Sequence, residues 1–380
     1  MSDISQVCQT ELAALRHEID TIDQQVVDLL SKRQKQVEHV VALKKAHNLQ
    51  VYHPSREEDL ISARRQQARE AGLNPDFIEE LYRIIMHRSR VEQTGQMARK
   101  AVKPGATVLI VGGTGEMGRY FVNWFSGAGY QVRSMGSKDW PNVAALCDGI
   151  DLCIISVVID RTPEIVERIG PFLPLDAVLV DVTSIKKVPL NAMLKAHPGP
   201  VLGLHPLFGP TTSTLDKQIV VATPGRDDDA CRWVIEQFSL WGSIIVMSDA
   251  DEHDEIMQFV QSLRHFATFA FGQFLASKKV PLARTLEFSS PIYRLELGMV
   301  GRLFAQDASL YAEIIFATPE RRALLKDYIS SLSKNLEMLE KGDKEEFEQE
   351  FEKIAEWFGP FGEQAMRESS FLIDKLIERF

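Results

Sequence analysis

The chain has 380 residues, enough for two or three domains, with an apolar fraction of 45% and a charged fraction of 25% that suit an ordinary globular protein. Its formal charge of −10 is uneven: residues 1–100 balance 15 basic against 15 acidic side chains, residues 101–380 carry 28 against 38, and neither part is a general binder of phosphate backbones, which excludes nucleic acid. The 4 cysteines (Cys8, Cys147, Cys153, Cys231) make no C-x-x-C pair and read as reduced thiols with no metal site, while MSDISQ is no signal and no apolar run spans a membrane, so a cytoplasmic protein is expected.

Glu11 to about His47 reads as one long helix without Pro or Gly, apolar at Leu12, Leu15, Ile19, Ile22, Val26 and Leu29 in the alternation of a bundle seam. Such a helix is about 50 Å long. A hundred residues cannot easily cover that stripe, so a dimer is expected. Val51–Pro54 breaks the pattern, Ser55 is expected to cap a second helix with Glu57 and Glu58 in its first turn, and Gly72, Asn74 and Pro75 end it. A third helix runs from Asp76 to about Lys100. Two cations fall on the seam: Arg33 takes the next seam position after Leu29, and Lys44 lies nearly on the same face. Arg16 points about 100° away from Arg33 and could serve the same pocket only from a second copy of the helix. Ser89 and Gln93, one turn apart, present two hydrogen-bonding groups on one face of the third helix. A solvated or salt-bridged surface accounts for any one of these residues. Together they point to a polar pocket in a helical dimer, made for a small polyanion.

This module resembles the all-helical chorismate mutases whose intertwined dimers build each site from both chains. The matching residues are Arg16 in ALRHEID, Arg33 in LLSKR, Lys44, Arg56 and Glu57 in SREED, and Ser89 and Gln93 in SRVEQ. The resemblance implies that the arginines hold the two carboxylates of chorismate, with Arg16 reaching over from the second copy. It further implies that Lys44 and Gln93 face the ether oxygen and that Glu57 binds the hydroxyl. Where stand-alone and phenylalanine-branch members of that family often carry an acid five residues after the helix break, this chain has His53, so that contact is not expected here. A [3,3] rearrangement needs no nucleophile, only a chair-like conformer held still and stabilisation of charge on the ether oxygen.

Lys103-Pro104-Gly105 reads as a linker, and TVLIVGGTGEMG follows as strand, tight turn and helix start. Gly112, Gly113, Gly115 and Gly118 supply a G-x-G-x-x-G pattern, and with Glu116 and Met117 they form the candidate cofactor turn. An ordinary glycine-rich turn is the plainer alternative. Strands read at 107–112, 131–134, 152–157, 178–182, 201–205, 219–222 and 244–247, and helices at 115–128, 163–169, 188–196 and 229–241. This alternation implies a parallel, doubly wound sheet. The acid expected for a ribose hydroxyl is absent at Gly136, and Asp139 sits past the strand, which leaves NAD against NADP open. His205 in HPLFGP stands at a strand's C-terminal end as a candidate base. Ser184 and Lys186 in DVTSIKK follow the preceding strand.

From Asp251 the chain reads as helices, with Phe259, Leu263, Phe266, Ala270 and Phe274 as a buried stripe and His265 riding on that helix. Arg294 and Arg302 lie about 80° apart on one helix and need not converge. The motifs VGGTGEMGR, DVTSIKK, GLHPLFGP, LRHFATFAFG and SSPIYRLELGMVGRLFAQD resemble those of the bifunctional chorismate mutase/prephenate dehydrogenases of tyrosine synthesis, from about residue 10 to 375. The resemblance implies NAD as cofactor, His205 on the substrate's ring hydroxyl and Arg302 on the ring carboxylate. Ser184, His253, His265 and Arg294 match further active-site positions, and Tyr311 a position linked to inhibition by tyrosine. The expected fold is multidomain: an all-α chorismate mutase module (1–103), an α/β Rossmann-type doubly wound domain (104–250) and an all-α C-terminal dimerisation domain (251–380). The expected partners are chorismate, prephenate and tyrosine, with a homodimer as the assembly. The alternatives are a dehydrogenase with a non-catalytic helical dimerisation arm and a nucleotide-sensing regulator. Arg33, Lys44 and Gln93 argue against the first, since a plain seam would be apolar there, and the intact His205 and Arg302 motifs argue against the second. Other hydroxyacid dehydrogenases of this layout usually use a Lys where LRHFATFAFG has His265.

Overall fold

Three helices open the chain: α1 (Ser2–His47), α2 (Pro54–Glu70) and α3 (Pro75–Met97). The computed structural model describes residues 2–47, 54–97 and 100–377. With neither Gly nor Pro to interrupt it, α1 runs unbroken from well before Glu11. Its seam residues Leu12, Leu15, Ile19, Ile22, Val26 and Leu29 are exposed in the single chain, while Val41 is buried. The sequence places Ser55 as a cap, but α2 starts at Pro54, where a missing N–H costs nothing, so Ser55 lies inside the first turn. His53 and the break at Val51 fall outside the described residues. Asn74 caps α3, its Oδ1 accepting from the Asp76 and Phe77 N–H groups at 2.8 and 3.4 Å.

A seven-stranded sheet follows, ordered β2-β1-β3-β4-β5-β6-β7. Its strands are β1 (Thr107–Val111), β2 (Gln131–Met135), β3 (Leu152–Ile155), β4 (Val178–Asp181), β5 (Val201–Pro206), β6 (Ile219–Arg226) and β7 (Ile244–Met247). Between them lie α4 (Glu116–Gly127), α5 (Val143–Cys147), α6 (Thr162–Ile169), α7 (Lys187–Ala196) and α8 (Asp228–Leu240). The expectation of a wholly parallel sheet fails at one place, because β6 runs antiparallel to β5. No helix lies between these two strands to carry a crossover, so the chain returns beside β5 in the opposite direction. The apolar face of α4 packs through Phe121 and Phe125 on Phe238 and Trp241 in edge-to-face contacts, Phe125–Trp241 at 4.9 Å and Phe121–Phe238 at 6.0 Å. Cys147, Cys153 and Cys231 are buried free thiols, pushed by burial to about 11, well above the usual value and to about 12 respectively, which leaves them unreactive. The side chain of Cys8 lies outside the described set.

The helical module and the sheet form one unit (Met1–Val157, Glu164–Val182, Pro189–Ser248). Their connection is fastened to the sheet domain. Gln237 Oε1 accepts from Val102 N at 2.8 Å and from the Tyr130 hydroxyl at 2.5 Å, and Gln237 Nε2 donates to Lys100 O at 3.3 Å.

A second unit comprises Val158–Pro163, Thr183–Val188 and Asp249–Phe380. It contains α9 (Ala250–Met257), a π turn (Gln258–Leu263), α10 (Arg264–Ser277), α11 (Leu282–Glu287), α12 (Pro291–Phe304), α13 (Ala308–Phe316), α14 (Pro319–Lys341), α15 (Lys344–Phe358) and α16 (Pro360–Ile377). Gly272 lets α10 approach α12, since a Cβ there would lie 2.2 Å from the Phe304 ring. The stripe expected to be buried is not: Phe259 and Phe274 are exposed, and the buried residue of α10 is His265. The π turn just before α10 takes up an extra residue and shifts the register, so an α-helical projection across it assigns the wrong face. Among the described residues no helix is long and apolar enough to cross a membrane.

Replacing Gln237 by Leu strands the Val102 N–H and the Tyr130 hydroxyl. It is expected to cost about 1–3 kcal/mol, read as a lower urea midpoint at unchanged m-value.

Candidate active sites

The glycine turn joins β1 to α4. Gly112 has φ of +84°, and a Cβ on it would stand 2.1 Å from Ser156 O. A Cβ on Gly118 would stand 2.1 Å from Gly112 O, so helix and strand meet backbone to backbone. Gly115 is exposed and extended as the N-cap of α4, and no side chain caps the helix start there. Open N–H groups at a bare helix start, with no Cβ in front of them, fit the pyrophosphate of a dinucleotide. At the end of β2, Asp139 Oδ2 accepts from Gly136 N at 2.8 Å. Asp139, which the sequence places past the strand, thus returns a carboxylate to the position where the acid is missing.

In the helical module, Arg33 Nη1 donates to Ser89 Oγ at 2.8 Å, and Ser89 Oγ donates to Ile85 O at 2.9 Å. Lys44 is half-buried; burial lowers its pKa, and the carboxylate of Glu57 opposes that shift. Glu57 is gripped in turn by Arg90 Nη1 at 2.5 Å and Lys217 Nζ at 3.4 Å. Gln93 Oε1 is buried without a hydrogen-bond partner among the described residues. Arg33 of α1 thus meets Ser89 of α3, and Lys44 of α1 lies within electrostatic reach of Glu57 of α2, while Gln93 stands one turn after Ser89 on α3. Arg16 and Arg56 are exposed in the single chain, Arg56 beside Glu57 in the first turn of α2.

His205 lies on β5, buried, with its backbone opposite Val221 of β6. The remaining candidates belong to the second unit. The Asp254 carboxylate accepts from the backbone N–H of Lys186 at 2.7 Å and of Lys187 at 3.0 Å, and pairs with His253 Nδ1 at 2.8 Å. Burial acts to raise the Asp254 pKa, but the bonds from His253, Lys187 and Lys186 outweigh it and hold the carboxyl below its ordinary value. Asp254, which the sequence did not mark, thus joins His253 to the loop holding Ser184 and Lys186. Ser184 is half-buried, its carbonyl accepting from Arg321 Nη2 at 3.5 Å, and Lys186 is fully buried. Burial of His265, aided by the Arg264 guanidinium, pushes its pKa down to about 4. Arg264 Nη2 lies 3.3 Å from the His265 ring nitrogens, and the Tyr311 ring meets the imidazole edge-on at 4.8 Å. Arg294 donates to Leu286 O, whereas Arg302 is exposed and its guanidinium has no partner among the described residues. The two arginines do not converge within the chain. Among the described residues no group of three or more His, Cys, Asp and Glu side chains is arranged to hold a metal.

Three family models match along the chain: "Chorismate mutase type II" over residues 15–94, "Prephenate dehydrogenase, nucleotide-binding domain" over 133–246 and "Prephenate dehydrogenase, dimerization domain" over 249–353. The T-protein of Enterobacter agglomerans is 43% identical over 363 residues, covering 96% of this chain and 97% of its own. The T-protein of Haemophilus influenzae is 39% identical over 365 residues, covering 96% and 97%. A crystal structure of prephenate dehydrogenase from Aquifex aeolicus, in complex with hydroxyphenyl propionate and NAD+, shares the fold with a TM-score of 0.55 at 18% identity. It covers 66% of this chain and 96% of that one. A mutase module, a nucleotide-binding sheet and a helical dimerisation domain in this order, with such relatives matching almost end to end, make this chain a member of the T-protein family, a bifunctional chorismate mutase and prephenate dehydrogenase of tyrosine biosynthesis.

Proposed function

We propose that rearrangement of chorismate to prephenate takes place in the helical module, on Arg33, Lys44, Glu57, Ser89 and Gln93 of one chain together with Arg16 of a second copy. The observation that carries this reading is the Arg33–Ser89 bond between α1 and α3, with Lys44 of α1 within electrostatic reach of Glu57, cations and donors on rigid helices. Arg33, Arg56 and Arg16 hold the carboxylates. Lys44 and Gln93 stabilise the charge developing on the ether oxygen, and Glu57 takes the hydroxyl. The exposed seam of α1 supports a homodimer, since it is where a second copy would bury Leu12, Leu15 and Ile19 and bring Arg16 to the pocket.

The dehydrogenase reaction converts prephenate to 4-hydroxyphenylpyruvate, with a hydride leaving the hydroxyl-bearing ring carbon for the nicotinamide and the ring carboxylate leaving as carbon dioxide from the opposite carbon. His205, held by its strand, accepts the proton of the ring hydroxyl as the carbon bearing it is oxidised. Gly112, Gly113, Gly115, Glu116, Met117 and Gly118 would hold NAD, which would supply the hydride acceptor. Arg302 and Arg294 bind the carboxylates. Arg302 must not hold the departing one more tightly in the ground state than in the transition state. Ser184, Lys186, His253, His265 and Tyr311 complete the substrate site, with Tyr311 in the response to tyrosine as inhibitor. The working domain limits are 1–103, 104–250 and 251–380, and the enzyme acts in the cytoplasm.

Two substitutions separate the activities. Arg33→Ala is expected to lower chorismate consumption by about 10²–10³ and leave NADH formation from prephenate unchanged. His205→Asn is expected to do the reverse, by about 10²–10⁴. A wild type that oxidises prephenate but leaves chorismate untouched would reduce the helical module to a dimerisation arm.

His265 makes stability depend on pH. Its folded value, about 4, lies below the ordinary 6.5, so the unfolded chain binds the proton more readily between the two. Stability is complete above about pH 6.5 and lost as the pH falls towards 4, by about 3 kcal/mol. Urea midpoints at pH 7 and 4.5 should converge in His265→Asn relative to wild type; equal losses in both proteins would rule this out.

A further inference from the structure

The carboxylate of Glu57 is not held by the helical module alone. Arg90 on α3 donates through Nη1 to its Oε1 at 2.5 Å, and Lys217 Nζ stands 3.4 Å from its Oε2. The far edge of Arg90 is bound by Asp216, Nε to Oδ2 at 3.1 Å. The Arg90 and Asp216 side chains are 8% and 1% exposed, so their pairing is sheltered from water, which sharpens its geometry. Asp216 and Lys217 belong to the connection between β5 and β6, in the nucleotide-binding half of the unit. That connection is itself pinned. Lys217 N donates to Gly242 O at 2.9 Å, and Asp216 N to Thr214 Oγ1 at 3.1 Å. Lys217 adopts φ of +59°, which disfavours any side chain and persists because its surroundings enforce it. Gly242 leaves room for the contact, since a Cβ there would meet Asp216 Cα at 3.1 Å and Thr94 Oγ1 of α3 at 3.2 Å. His87 Nδ1 lies 3.6 Å from Asp216 Oδ2 at the edge of the cluster.

With a cation on each oxygen, the Glu57 carboxylate is fixed in plane and direction. We infer that Asp216 and Lys217 are positioning residues of the mutase: Asp216 orients Arg90, and Arg90 and Lys217 together aim Glu57 at the hydroxyl of chorismate. This inference rests on the proposed role of Glu57 as the hydroxyl ligand. The mutase site would then be finished by the domain that binds the nucleotide.

The test uses the full chain. Lys217→Gln and Asp216→Asn should each lower kcat/KM for chorismate on the order of tenfold, chiefly through KM, because the hydroxyl is bound alike before and during the rearrangement. Lys217→Arg should restore most of the loss. In a Glu57→Gln background neither substitution should add a further loss, since both act through Glu57. Oxidation of prephenate and the urea midpoint of Lys217→Gln should match wild type, which a general structural defect would not allow. Wild-type kcat/KM for chorismate in both single variants, or losses that add in full to that of Glu57→Gln, would overturn the inference. A Glu57→Gln enzyme with undiminished mutase activity would remove its premise, and Arg33→Ala reports separately on whether the module is a mutase.

Discussion

Strand β1 and helix α4 touch through bare backbone, and the nucleotide-binding half is arranged around that contact. Gly118 lies so near the Gly112 carbonyl that a single Cβ would be 2.1 Å from it, and Gly112 lies equally near Ser156 O at the end of β3. No side chain can occupy those positions, so β1, β3 and α4 share one fixed corner. From that corner α4 lays Phe121 and Phe125 onto Phe238 and Trp241 of the α8 region, closing the core on one face of the sheet. The same closeness leaves the start of α4 uncovered at Gly115, which suits a phosphate better than a side chain does. Packing and ligand chemistry are here two results of one steric constraint.

Buried polar groups elsewhere follow the rule that each needs a partner. Asp254 draws together His253 and two backbone N–H groups. Arg321, almost wholly buried, is satisfied by the carbonyls of Ile314 and Ser184. His265 takes the other course. Burial and the neighbouring Arg264 guanidinium push its pKa down, and it meets the Tyr311 ring edge-on. In the helical module the polar groups are spread over three helices, and the ion pairs of Glu57, Arg90 and Asp216 extend them to the β5–β6 connection. Gln237 and Tyr130 fasten the linker between module and sheet by a separate set of bonds. The two halves of this unit are therefore joined by buried hydrogen bonds at two places, not by a loose tether.

The two sets of exposed apolar side chains, the α1 seam and the faces of α14–α16 with Leu336, Phe351, Trp357 and Phe371, leave surface that one chain does not cover. The second set falls partly within the matched dimerisation domain. Arg16, on the same helix as the α1 seam, is likewise exposed in the single chain.

Local pattern was enough for most of the architecture. The gap-free apolar alternation of α1, the strand–glycine–helix order at β1 and the alternation of strands and helices are properties of neighbouring residues, and these elements formed, with α1 starting at Ser2 rather than Glu11 and β6 running on to Arg226. Candidate residues were legible for the same reason: Arg33 and Lys44 stand where a seam should be apolar, and His205 sits where a strand ends. What the sequence could not determine is whatever depends on residues far apart in the chain. The antiparallel β6 follows from a connection without a helix, and its direction is fixed only when β6 pairs with β5. The inward turn of His265 follows from a π turn that has no sequence signal and rotates everything after it. Arg90, Asp216 and Asp254 carry no mark in the sequence, because a charge shows its role only when its partner is known. Arg90 and Asp216 are 126 residues apart and meet only in the folded protein. Which helices and strands form, and which side chains are out of place on them, is legible from neighbouring residues; which charges meet across the fold is not, because pairs such as Arg90–Asp216 join elements far apart in the chain.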